Sequence, residues 1–304
     1  MKFLKDIIDN KIEIKPLSIF KIILAYIAQN IFTIPFLFVF TIGYGVYLGA
    51  TTPIGSAIEV NYIVESLLFS LAAFIGLLIT IKVFSVKKRK KQTDPNFGYE
   101  YIEDVETKPR QEPLKLNVKI VRGCIFLAMG YLFFEVGTLG HFTATIEISA
   151  EITAAFEKIL EQNLAFILFS IVIEAAFVEE ILCRSLILNG LLNKYSPKIA
   201  ILISALFFGI IHMNIPQFIG AALIGILWGT LYYQTRSLKL CMIVHATNNF
   251  LVFFLVMPET PGLKIIYSII YIIVGLILFV KGFNDLNLMK TVKEFFPKKE
   301  KQLA

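Results

Sequence analysis

Residues 161–190 read EQNLAFILFSIVIEAAFVEEILCRSLILNG. From Leu164 onward the run is apolar over more than the roughly 20 residues that a helix needs to cross a bilayer's hydrocarbon layer. Yet it holds Glu174, Glu179, Glu180 and Arg184. Ionisable groups inside a bilayer are costly, and they usually face the bundle interior for a reason. The stretch therefore reads as one span of an all-α polytopic membrane protein, and as the place where its chemistry sits.

The rest of the chain agrees. Its 304 residues are 57% hydrophobic and 17% charged, with a mean hydropathy of +0.73. A soluble domain is about 45–50% apolar and about 25% charged. This composition excludes a disordered chain and a collagen, and it leaves too little charge to cover the surface of a cytosolic enzyme. Cys124, Cys183 and Cys241 stand singly in apolar runs without CxxC spacing. They suggest neither a disulfide framework nor a cysteine zinc site, and read as small packing residues. The net charge of +6 implies no nucleic-acid partner. The basic residues lie between apolar runs, where they set topology.

About eight transmembrane helices are expected, near residues 22–48, 61–84, 118–139, 161–190, 199–215, 217–235, 239–257 and 263–281. Pro35 predicts a kink or strong tilt in the first. The fifth and sixth part only at a turn over Asn214–Pro216, where Pro216 suits the first turn of a new helix. Lys2, Lys5, Lys11, Lys15 and Lys21 precede an apolar run too long for a signal-peptide core, so it reads as a retained span. Of the 29 Lys and Arg, all but Lys82, Lys158, Arg184 and Lys264 fall on one side of an eight-span layout. Both termini are then cytoplasmic in a multi-pass protein of the cell membrane. Seven spans would put the basic tail outside. The expected division is 1–160, N-terminal spans with a cytoplasmic loop over 86–117; 161–257, a catalytic helical core; and 258–304, a last span and basic tail. Residues 141–160 read as an acidic outer segment. No internal repeat supports an inverted-repeat transporter.

Three clusters carry the chemistry. Glu180 and Arg184 are four apart and can pair on one helix face. Glu179 projects about 100° away and is left without a local cation. A carboxylate so placed suits a general base. Glu174 reads equally well as functional or as facing an outer water cavity. Phe208 and His212 share a face of the fifth span, the phenylalanine as packing, the histidine as a hydrogen-bonded core residue or a catalyst. His245 and Asn249 share a face of the seventh, where such a pair binds a developing oxyanion or glues helices together. Of the three histidines, only His141 lies outside the apolar spans. HExxH is absent.

Together, EExxxR at Glu179–Arg184, FxxxH at Phe208–His212 and HxxxN at His245–Asn249 resemble the CPBP family of intramembrane endopeptidases, the CAAX-protease and bacteriocin-processing or Abi proteins. The three motifs come in that family's order, over about a third of the chain. The resemblance implies a glutamate-dependent hydrolase acting on a membrane protein or peptide, in a cavity open to the cytoplasm. Glu179 would activate water with His212 assisting, and His245 and Asn249 would stabilise the oxyanion. Glu180, Arg184 and Phe208 would support them. A metal-free mechanism is favoured. The family's description as metalloproteases leaves zinc open, with Glu179, His212 and His245 as its ligands. The family is linked to peptide maturation and bacteriocin self-immunity. Two other readings compete: a non-proteolytic membrane partner or immunity protein, and a proton-coupled transporter. Gly225 and Gly229 form a GxxxG that serves a homodimer or packing within one chain.

One measurement strains the single-site reading. At 1.5 Å per residue, a helix starting near Ile199 puts His212 about 20 Å from its inner end. His245 lies only about 9 Å from its own. A fifth helix starting outside the hydrocarbon near Pro197, or strongly tilted, would bring them level.

Overall fold

A computed structural model of the chain describes residues 2–53, 55–57, 59–86 and 114–295. Most of the loop expected over 86–117, and the end of the basic tail, lie outside the described residues. Among these, every regular element is a helix. Five helices are long and apolar enough to cross a membrane: Ile19–Thr51, Tyr62–Phe84, Val118–Gly137, Ile215–Thr235 and Pro261–Asp285. Pro197–Ile210 and Leu238–Val252 are shorter apolar helices. The glutamate-bearing stretch is helical throughout 164–192, but two parts of it, Leu168–Glu174 and Ile181–Leu188, are wound as π-helix. Such wide turns gather at functional sites.

The helix starts follow from local chemistry. Asn117, Asn163, Asn214 and Ser237 each accept a hydrogen bond from the backbone N–H three residues on. Each thus satisfies one of the donors that a helix start leaves free. Prolines open the helices at Pro197, Pro216 and Pro261, where the missing N–H costs nothing.

The chain divides into two compact units. The first contains the Ile19–Thr51 and Tyr62–Phe84 helices and residues 189–194. Ile19–Thr51 runs unbroken through Pro35. Within this unit, the Leu17 N–H donates to Gly190 O at 2.8 Å and Asn193 Nδ2 to Ile14 O at 2.7 Å.

The second unit holds 113–188 and 195–304, together with residues 8–10. Val118–Gly137, placed by the sequence among the N-terminal spans, packs here with the motif-bearing helices. Its partner is Pro261–Asp285. Gly123, Gly130 and Gly137 on one helix recur every seven residues, as do Ser268, Gly275 and Gly282 on the other. A seven-residue period keeps one seam facing a neighbour, and small residues on it let two backbones touch. A Cβ on Gly275 would stand 2.7 Å from Phe134 N, and one on Gly130 would overlap Phe279 N. Gly130→Ala is therefore expected to abolish the folded, monodisperse protein in detergent. Gly45→Ala, where a Cβ meets nothing within 4 Å, should leave the yield unchanged. Size-exclusion profiles of the two variants check this.

The ends of this unit differ in chemistry. At one end, Arg122 binds Asp285 through two hydrogen bonds of 2.8 and 2.9 Å. Lys239 meets Asp9 at 2.9 Å, the Leu114 N–H donates to Thr235 O, and Gln234 Nε2 donates to Leu286 O. Lys115, Lys119 and Arg236 belong to this end as well. At the opposite end, His141 Nε2 and Ser268 Oγ are 2.7 Å apart, and Tyr271 Oη donates to Val256 O. Glu147, Glu151, Glu157 and Glu161 fall in the connection there. The outward faces remain apolar: Ile265, Ile269, Ile273 and Ile277 are each at least half exposed. That is a surface suited to lipid.

The Pro197–Ile210 and Ile215–Thr235 helices form a tight hairpin. Gly225 faces Ala205, and Gly229 faces Ile201. The GxxxG is thus used inside this chain.

Candidate functional site

The site grows from the non-π stretch Ala175–Glu180, which sits between the two wide segments. Glu180 and Arg184 are fully buried, with Arg184 Nε donating to Glu180 Oε2 at 2.9 Å. The spacing argument for this pair holds although residues 181–188 are π-helical. The guanidinium carbon lies 5.3 Å from the centre of the Phe208 ring. Its two terminal nitrogens have no hydrogen-bond partner, so Nε and the ring face carry the cation.

His245 joins both glutamates. Its Nδ1 is 3.0 Å from Glu180 Oε1, and its Nε2 is 3.8 Å from Glu179 Oε2. Glu180 is paired with the Arg184 guanidinium and accepts from its neighbours. The Nδ1–H of His245 therefore donates to Glu180, and its Nε2 is turned toward Glu179. Arg184, Glu180 and His245 thus form one hydrogen-bonded chain in an apolar bundle, with Glu179 standing 3.8 Å beyond its end. Glu179 Oε2 is buried and makes no hydrogen bond.

Phe208 organises the aromatic half. His212 and His245 both present edges to its ring, at centroid distances of 5.2 and 5.8 Å. The mismatch in depth between the two histidines disappears. The helix starts at Pro197, and it ends at Ile210, not near 215 as expected. His212 lies beyond it, in a turn that closes with Met213 at φ +58° and the Asn214 cap. Its Nδ1 is 2.8 Å from Phe208 O. The carbonyl can only accept, so the Nδ1–H donates to it and Nε2 takes no part in that bond. Trp228, the chain's one tryptophan, lies 4.6 Å from the His245 ring.

Asn249 holds the wide turn. Its Nδ2 donates to Ile171 O at 2.8 Å, while the Ala175 N–H reaches back to Ser170 O. The Asn249 amide thus binds a carbonyl that an ordinary α-turn would pair with Ala175. Asn249→Ala is expected to cost about 1–3 kcal/mol for a buried acceptor left unpaired. Faster amide hydrogen exchange confined to 168–176 would verify it; unchanged exchange would show the π segment to be held elsewhere.

A cavity of about 320 Å³ opens against these groups. His212, His245, Asn248, Asn249, Phe208 and Trp228 line it. Glu179 does not line it, and touches it through His245. Glu174 stands elsewhere on the same helix and is not among the lining residues. Two titratable lining residues escaped the sequence reading. Glu135 and Tyr131 come from Val118–Gly137, and Tyr131 Oη donates to Gly220 O at 2.8 Å. The signal was present, since Glu135 is a carboxylate in an apolar span. It sits in no motif, and only packing brings its helix to this unit.

The resemblance leaves a zinc ion open, with Glu179, His212 and His245 as its ligands. Among the described residues no three His, Cys, Asp or Glu side chains converge as a metal-holding group. The Nδ1 of each site histidine serves a protein acceptor, which leaves Nε2 as the nitrogen that a metal would use.

A buried carboxylate–imidazole cluster thus stands at a cavity wall, in a bundle with lipid-type faces. Residues 161–251 match the family described as Type II CAAX prenyl endopeptidase Rce1-like. The match contains all three motifs and agrees with the resemblance to CAAX-type membrane proteases. No curated protein matches the chain.

Proposed function

We propose that the chain is a glutamate-dependent intramembrane endopeptidase of eight spans in the cell membrane, with both termini cytoplasmic. It hydrolyses a peptide bond of a membrane-associated protein or peptide, and it does so without a metal. The cluster of Glu179, His245, Glu180 and Arg184 beside the cavity carries this reading. The family match supports it.

The chemistry follows from the proton positions. Arg184 fixes Glu180, and Glu180 fixes the tautomer of His245 through Nδ1–H. A water between Glu179 and His245 Nε2 finds two acceptors, spaced 3.8 Å apart. As its oxygen attacks the substrate carbonyl, one proton passes to Glu179. The carbonyl oxygen becomes the oxyanion, and the side-chain amides of Asn248 and Asn249 in the cavity wall are the donors assigned to it. Glu179 then returns its proton to the departing amine nitrogen as the C–N bond breaks. His212 Nε2 accepts a hydrogen bond from the water or from the substrate amide. This division shifts His245 from oxyanion binding to holding water beside Glu179. It leaves oxyanion stabilisation to the asparagines.

Peptide maturation or bacteriocin self-immunity is the setting proposed, on the strength of the family resemblance. The test compares membrane proteomes and released peptides between cells with the wild-type protein and cells with Glu179→Gln at matched expression. A fragment made only by wild type supports the peptidase. Identical profiles, with the phenotype kept by the variant, overturn it in favour of a non-proteolytic partner.

A further inference from the structure

A second cavity, of about 410 Å³, borders the start of the Pro261–Asp285 helix. Its polar lining is His141, Lys264 and Ser268, and no Asp or Glu lines it. The Ser268 hydroxyl donates to Lys264 O at 2.7 Å. Its oxygen is then left to accept from His141 Nε2, which is 2.7 Å away. The Nδ1 of His141 takes no part in that bond. No ion pair or side-chain hydrogen bond engages the Lys264 ammonium among the described residues. The cavity thus offers a cation from one helix and a ring nitrogen from another, the short Leu139–Thr143. Its remaining wall includes the apolar Ile265 and Ile269.

The depth of this cavity follows from helix length. Pro261–Asp285 has 25 residues, about 37 Å at 1.5 Å per residue, against roughly 30 Å of hydrocarbon. Its first turn therefore reaches the boundary between acyl chains and headgroups, whichever way the chain is oriented. Tyr267, partly exposed in the second turn, is a residue that gathers at that boundary. Ile265, Ile269, Ile273 and Ile277 then follow at four-residue spacing, each at least half exposed. This ribbon is about 18 Å long, close to the roughly 15 Å depth of one leaflet.

We propose that the cavity binds an anionic glycerophospholipid of the phosphatidylglycerol type. The phosphate pairs with Lys264, His141 is the second polar contact, and one acyl chain lies along the isoleucine ribbon. Charge favours this occupant, since the lining holds a free cation and no carboxylate. The glycerol headgroup suits either protonation state of the ring: its hydroxyls donate to a neutral Nδ1, and its phosphate accepts from a protonated one. A soluble phosphate would meet Lys264 but leave Ile265 and Ile269 uncovered, whereas a lipid covers both. The site shares no lining residue with the cavity at His245, and it stands independently of the peptidase reading.

Native mass spectrometry of the full chain, released from micelles holding equal phosphatidylglycerol and phosphatidylcholine, tests this. Wild type should retain one phosphatidylglycerol in preference to phosphatidylcholine. Equal retention of the two overturns the site without recourse to any variant. Lys264→Gln should lower the phosphatidylglycerol occupancy about fivefold, the ordinary contribution of one basic residue at an anionic membrane surface. Lys158→Gln makes the same change of charge on an exposed residue outside the cavity, and should retain lipid as wild type does. An equal loss in both variants reduces the effect to net charge and overturns the site.

His141→Gln, whose amide can still reach Ser268, should also lower the occupancy; full retention removes His141 from the site. Glycerol 3-phosphate in large excess should not displace the lipid. Displacement would make the occupant a soluble phosphate and overturn the lipid assignment. Melting in detergent gives a second reading, because a ligand that binds only the folded state stabilises it. Added phosphatidylglycerol should raise the melting temperature of wild type more than that of Lys264→Gln, and an equal rise in the two counts against the site.

Discussion

Glu179→Gln is expected to lower peptide-bond hydrolysis by roughly 10²–10⁴-fold, the usual contribution of a positioned general base. The bundle should stay intact. The substitution is isosteric, and the buried Oε2 makes no hydrogen bond that could be lost. The amide cannot take the proton of attacking water, and it offers His245 Nε2 an N–H in place of a shared water. The expected record is a cleavage product that disappears while membrane insertion, yield and thermal unfolding in detergent match wild type. Retained cleavage would remove Glu179 from the mechanism. Lost cleavage with lost folding would instead mark it as structural.

Arg184→Ala should do the reverse. Glu180 and Arg184 are both fully buried, and removing one partner of such a pair costs about 3–5 kcal/mol, because the remaining charge is stranded. Here the loss spreads further. Glu180 fixes His245, and the guanidinium covers the Phe208 ring. Yield and melting temperature in detergent should fall well below those of Glu179→Gln. The double change Glu180→Gln with Arg184→Met removes both charges while keeping volume, and should recover much of the stability but not the activity. Equal stability of Arg184→Ala and Glu179→Gln, with activity lost in both, would make Arg184 a catalytic group.

These two contrasting residues lie five positions apart, and the sequence already separates them. Four-residue spacing pairs Glu180 with Arg184 and leaves Glu179 facing elsewhere. The spans were legible for a similar reason. Apolar runs of membrane length are local facts, and their ends carry Asn, Ser and Pro at capping positions. Expected and observed helices accordingly differ by only a few residues at most ends. Two ends, those of the fifth and seventh helices, fall five residues short of expectation, and the first is instructive. The fifth helix stops at Ile210, because Met213 adopts a left-handed backbone and Asn214 caps the next helix. An uninterrupted apolar pattern does not announce that turn.

What the sequence determined by itself is whatever rests on local chemistry: the membrane class, the helix starts, the three motifs and the Glu180–Arg184 pair. What only the tertiary structure decided is which atoms meet across helices. His245, 65 residues from Glu180 in the chain, bridges two adjacent glutamates. Asn249 binds a carbonyl freed by a π-turn, a backbone register that side-chain pattern does not encode. Glu135 reaches the cavity because its helix packs against Leu238–Val252, far along the chain. The cavity itself emerges only when parts of several helices are seen to line one space. Hydropathy, caps and charge spacing act over a few residues, whereas a site and its mouth are made by contacts between segments that the chain keeps far apart.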